Sequence, residues 1–158
     1  STADLLSSIG DNHPIPIENP LFSPRLQPMS QFFPHENVKV YELSLEWIHW
    51  LDELLPQIPA SHGICHQLDA LASTIAVGIA DAISKSHPSD RAKTLESARS
   101  SVLASAALMD ILGTKNLLEQ SDIINAKKRL SHVARLLSGM IQSSATNEII
   151  RSRLSVPG

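Results

Sequence analysis

The amino-acid sequence predicts an all-α protein: an antiparallel up-down-up-down four-helix bundle over residues 38–158, preceded by an extended Pro-rich N-terminal arm over residues 1–37. Three observations lead there. Six of the ten prolines fall in the arm, at Pro14, Pro16, Pro20, Pro24, Pro28 and Pro34. From Val38 onward apolar residues recur at helical spacing between capping and breaking signals, without strand-like alternation. Aromatic residues make up only 4% of the chain, while Ala, Leu, Ile and Ser abound, which suits helices packed closely through small side chains.

Proline lacks the donor that a helix interior needs and pushes the preceding residue toward extended backbone. The arm therefore holds at most one short helix, around residues 3–9. Ile15, Ile17, Leu21, Phe22, Leu26, Met29, Phe32 and Phe33 recur along it, more apolar content than disordered tails usually carry. This favours an arm packed on its own bundle or on a neighbour over a free tail.

The first helix runs from Val38 to about Leu55, where Pro56 and Pro59 stop it. Ser61 can cap the second, which reaches about Ser86 before His87-Pro88. Ser89 or Asp90 can cap the third, which ends near Gly113. The fourth starts around Gln120–Asp122 and reaches at least Gln142, with its continuation through 146–154 left open. Connections this short force antiparallel neighbours.

The first helix carries two apolar stripes on a helical wheel: Tyr41, Leu45, Ile48 and Leu55, then Val40, Leu43, Trp47, Trp50 and Leu54. Glu42, Glu46, His49 and Glu53 form the narrow polar face between them. One bundle needs an apolar arc of only about 100° or a little more. The stripe with both tryptophans should therefore meet something else, either the arm or a second subunit. Leu43, Trp47, Trp50 and Leu54 are the expected subunit interface, since tryptophan is enriched in interfaces. On the second helix Ile64, Leu68, Leu71, Ile75 and Ile79 make a face suited to the core.

The net charge of −3 speaks against a strongly basic nucleic-acid binder, but the charge is unevenly spread. Residues 38–83 set Lys39 against six acids, and residues 117–158 set six basic residues against three acids. Such asymmetry orients subunits or attracts an anionic partner. On the fourth helix Lys128, His132 and Arg135 share one face, flanked by Lys127 and Arg129. This set is the candidate for contacting RNA or DNA phosphates, because backbone contacts depend on such cations. A solvated face, or pairing with the acidic first helix of a neighbour, is the alternative.

His62 and His66 stand four apart with Cys65 between them. A zinc site would need a third and usually a fourth ligand, so no metal site and no cofactor are expected. Ser97, Ser100, Ser101 and Ser105 read as small packing residues. No nucleophile–base set, phosphate-cradling loop or paired-carboxylate motif appears, and no enzyme activity is expected. A lone cysteine excludes an internal disulfide. No unbroken apolar run reaches the roughly 18 residues of a membrane span, and Ser1–Gly10 does not read as a signal peptide. A cytoplasmic protein is expected.

Several short motifs fall in an order that resembles a known family. Val40-Tyr41-Glu42-Leu43 looks like an opening-helix motif. Gln67-Leu68, Thr74-Ile75 and Ile79-Ala80-Asp81 look like a second-helix signature. Asp90-Arg91-Ala92, Ala98-Arg99, Ser101 and Asp110-Ile111-Leu112 follow a third-helix pattern. Together, residues 38–142 resemble the four-helix-bundle proteins encoded in intervening sequences of bacterial 23S ribosomal RNA genes, to which the accessory proteins of diversity-generating retroelements are similar. Gly78, Asp81, Ala82, Ala70 and Ala104 stand where that family usually has Asn, Glu, Gly, Arg and Glu. The apolar scaffold is kept and its polar members are changed. The resemblance implies a homopentameric ring with a nucleic-acid role. The expected function is a non-catalytic homo-oligomer that contacts nucleic acid or a complex handling it. The alternative is an interaction scaffold whose arm engages a partner protein.

Overall fold

The computed structural model describes residues 32–59 and 63–155. Most of the arm, the Ser61 cap and His62 lie outside the described residues. Among those described, the chain forms four α-helices and no strand: α1 (Lys39–Leu54), α2 (Gly63–Ser84), α3 (Pro88–Thr114) and α4 (Gln120–Leu154). Short 3₁₀ turns, Pro34–Asn37 and Leu55–Gln57, flank α1.

The helix ends follow local chemistry. Pro56 falls within the 3₁₀ turn that terminates α1. His87 is extended and Pro88 opens α3, because the fixed φ of proline suits the first helical position. The cap expected at Ser89 or Asp90 is therefore two or three residues too late. At the other end, Asn116 N–H bonds to the Gly113 carbonyl and Leu117 N–H to that of Leu112, both at 3.0 Å. This paired closure is a Schellman motif, and it requires a left-handed residue, here Asn116 with φ 54°. The fourth helix continues unbroken through residues 146–154.

One spacing rule organises the core. The buried residues of α1 are Val40, Ser44, Trp47, Leu51 and Leu54. Those of α2 include Leu68, Ala72, Ile75, Ile79 and Ala82. In α3 they are Leu95, Ala98, Val102, Ser105, Met109 and Leu112, and in α4 Ile123, Ala126, Leu130, Val133 and Leu137 lead the set. Every helix alternates steps of three and four, the heptad spacing of bundles whose helices cross at about 20°. Each fully buried Leu or Ile removes enough apolar surface to contribute about 1.5–3 kcal/mol.

The two stripes of α1 are thereby assigned, against expectation. The stripe containing Trp47 and Leu54 faces the core of its own bundle, while Tyr41, Leu45, Ile48 and Leu55 are half-buried. On α2, Leu68, Ile75 and Ile79 are core residues, and Ile64 and Leu71 are half-buried.

The third helix packs against both α2 and α4, and α1 packs against α2 and α4. Small residues set the closest approach. A Cβ on Gly78 would lie 3.3 Å from Cβ of Ala98, and one on Gly113 would meet Cδ1 of Ile123. Between α3 and α4, Asp110 meets Lys127 and Arg99 donates to Ser138 Oγ at 3.0 Å.

The Pro34–Asn37 turn packs against α1 and α2. Glu36 accepts the Phe32 and Phe33 backbone N–H groups at 2.8 and 3.2 Å, and the His35 and Tyr41 rings pack edge to face with centroids 4.7 Å apart. The second helix, 22 residues with a hydropathy of 1.2 over its most apolar stretch, has the length and composition of a membrane span. Asp69 and Asp81 interrupt its apolar run, and six of its residues are buried in the bundle.

Candidate functional site

The basic residues of α4 all lie on its exposed side, but they divide between two neighbours. Lys127 leans toward α3 and pairs with Asp110 at 2.6 Å. Lys128, Arg129 and His132 lean toward α1, where with Leu43, Glu46 and Trp47 they line a groove of about 240 Å³. Arg135 continues the exposed face one turn further. Among the described residues, no ion pair engages Lys128, Arg129 or Arg135.

Beside this groove lies an aromatic pair. The Trp47 and Trp50 rings are stacked with centroids 5.5 Å apart and planes 24° from parallel. The Arg129 guanidinium sits 5.5 Å from the Trp50 ring centroid, within the range at which a cation is attracted to an indole face. Trp47 is 1% exposed, and its indole Nε1–H is buried with no hydrogen-bond acceptor among the described residues. Leaving such a donor unpaired costs about 1–3 kcal/mol.

Two of the four residues expected at a subunit interface, Trp47 and Leu54, are core residues of the single chain. Trp47 and Leu54, 1% and 4% exposed within a single chain, have no surface left to offer a partner. Leu43 and Trp50 are half-buried, at the groove and beside Arg129. Glu46 likewise stands with the cations rather than on a separate acidic side. These groove members were missed from sequence. The available signal was topological, because closing four helices into one bundle can bring the first and last side by side.

His66 is exposed and Cys65 half-buried, and both line a cavity of about 640 Å³ with Leu55–Pro59 at the α1–α2 connection. His62 lies outside the described residues. No group of three His, Cys, Asp or Glu residues comes together among those described. Fold and groove together define a helical-bundle protein with an aromatic-backed groove of mixed charge. No protein-family model and no curated protein matches the chain.

Proposed function

We propose that this chain is a non-catalytic, homo-oligomeric four-helix-bundle protein that contacts nucleic acid, or a complex handling it, through the outer face of α4. The observation that carries this reading is the placement of Lys128, Arg129, His132 and Arg135. All four are exposed on that helix, none of the three strong bases among them has a carboxylate partner among the described residues, and Trp50 lies beside them. Cations next to an aromatic platform are the combination used by proteins that hold single strands. The bundle is up-down-up-down. Supporting that, Asp110–Lys127 and Arg99–Ser138 pair in reversed order along α3 and α4. The pentameric ring follows from the resemblance of residues 38–142 to the ribosomal intervening-sequence proteins, and the protein acts in the cytoplasm.

The test is binding of short fluorescent RNA and DNA strands across a salt series. Neutralising two phosphates per chain should weaken binding about tenfold between roughly 50 and 200 mM salt. Lys128→Glu with Arg135→Glu should weaken binding to all sequences alike, since phosphate contacts position without specifying. A wild-type protein that binds no strand at low salt removes this reading in favour of the protein-interaction scaffold.

A further inference from the structure

We infer that copies of this chain meet through the outer faces of α2 and α3, with α2 of one subunit lying on α3 of the next. Such a contact rests on the homo-oligomer reading above and gives that assembly its surface. No charged residue falls between Ala70 and Ala80 in α2, nor between Ser100 and Met109 in α3. Gly78 and Ala98 stand at the contact between the two helices, so these two stretches adjoin. Val77 is 67% exposed and Leu103 59%, among exposed Ala70, Ser73, Thr74, Ser100 and Ala104. Only 28% of the most apolar stretch of α2 is buried, and the bundle leaves the rest uncovered.

The chemistry of this face selects a protein helix over a lipid surface. A helix that lies on a bilayer presents large apolar side chains edged by Lys and Arg. Here Ala, Ser, Thr and Val prevail, and Asp69 and Asp81 bound the α2 stretch. Small side chains let a second helix come close, as Gly78 and Ala98 do inside the bundle. Three hydroxyls of the face are already satisfied within their own helices. Thr74 donates to the Ala70 carbonyl at 2.9 Å, Ser100 to that of Glu96 at 3.0 Å and Ser101 to that of Ser97 at 3.3 Å. Covering these three leaves no donor unmet. The charges at the two ends select the chain itself as partner. Counted from Gly78 and Ala98, Asp81 with Lys93, and His66 with Asp110, lie within about 3 Å of the same level. Lys93 is exposed, and no ion pair engages it among the described residues. About an axis parallel to the helices, α2 on the next α3 brings Asp81 to Lys93 of the partner subunit. The same step brings His66, a donor, to the partner's Asp110. Lys85, which pairs with Asp81 at 3.2 Å, and Glu96 of the partner subunit complete the first end at zero net charge. Laying α2 head to tail on another α2 instead sets Asp69 against Asp81 at both ends. Each helix packs on two neighbours, so the outer lines of α2 and α3 diverge. Each subunit then gives α2 to one neighbour and α3 to another, a head-to-tail contact that closes as a ring.

Sedimentation velocity of the full chain at tens of micromolar reads the assembly, with circular dichroism as the check on folding. Val77→Glu and Leu103→Glu each put a carboxylate on an exposed position, so the helical signal should be kept. Each should convert the oligomer to monomer, because every contact then holds one buried, unpaired charge. Ile149→Glu, at a comparably exposed apolar residue of α4, should leave the oligomer as it is. Mixed in equal amounts, the Val77→Glu and Leu103→Glu chains should form a one-to-one dimer. One of them keeps an intact α3 face and the other an intact α2 face. That mixture is followed up to hundreds of micromolar, since a single contact lacks the closure of a ring. An oligomer that survives both variants, or that Ile149→Glu breaks instead, would overturn the contact while leaving a homo-oligomer standing. A mixture that stays monomeric would do the same for the α2-on-α3 order. A wild type that is monomeric throughout removes the contact and the homo-oligomer together.

Discussion

Asn116 occupies a left-handed backbone position, φ 54°, at the close of α3, where its own N–H bonds to the Gly113 carbonyl and the Leu117 N–H to that of Leu112. A side chain without a branch at Cβ tolerates that conformation, and asparagine is the commonest non-glycine choice. Asn116→Gly should therefore leave stability unchanged or raise it by a few tenths of a kcal/mol, whereas Asn116→Val should lower it by about 1–2 kcal/mol. Urea denaturation followed by circular dichroism gives both numbers from the shift in midpoint. Equal midpoints for Gly and Val would mean that the turn does not hold this geometry in solution. Arg91 acts at the other junction of α3. Its Nη2 donates to the Lys85 carbonyl just past the end of α2 at 2.9 Å, while its Nε is buried without a partner among the described residues.

Along each helix the core follows one heptad, and here sequence reading succeeded and failed for identifiable reasons. Four helices in order, with stops at Pro56, before Pro88 and near Gly113, were legible because proline and turn chemistry act locally. The inward face of α1 was not. Its core series is Val40, Ser44, Trp47, Leu51 and Leu54, and the polar member hid the register. Ser44 is buried because its hydroxyl donates to the Tyr41 carbonyl at 2.6 Å, which satisfies it inside the helix. A stripe counted by apolarity alone drops Ser44 and treats the two sides of α1 as equivalent. In the same way Ser105, buried in α3, donates to the Ser101 carbonyl at 2.9 Å. The close approach of α2 and α3 at Gly78 and Ala98 leaves no room for a larger residue. Ala98→Leu should cost about 1–3 kcal/mol by forcing the helices apart. Ala107→Leu, on the exposed side of the same helix, should change stability by no more than about 0.5 kcal/mol. A similar midpoint for the two variants would contradict the packing of α2 on α3.

At the scale of the whole molecule, the contact between the first and last helices decides what the charges do. The acidic first half and the basic last third were legible as composition, and so were the cations of α4. That Glu46 shares a groove with Lys128, Arg129 and His132 was not, because it depends on which helices adjoin. The tryptophans carry the sharper consequence. Trp47 is 1% exposed and packed in the core, while Trp50 is half-buried with Arg129 over its ring. Changing them to glutamate should therefore give opposite results. Trp47→Glu buries an unpaired carboxylate and deletes a large core side chain, a loss of about 3–5 kcal/mol from the missing ring alone. It should abolish the cooperative thermal transition and most of the helical signal. Trp50→Glu removes a surface ring and should leave a folded, cooperatively melting bundle. Sedimentation of the wild type at tens of micromolar tests the homo-oligomer separately, with a pentamer expected. If Trp47→Glu instead yields a smaller species that stays fully helical, Trp47 lies between subunits, and the core assignment of α1 is wrong.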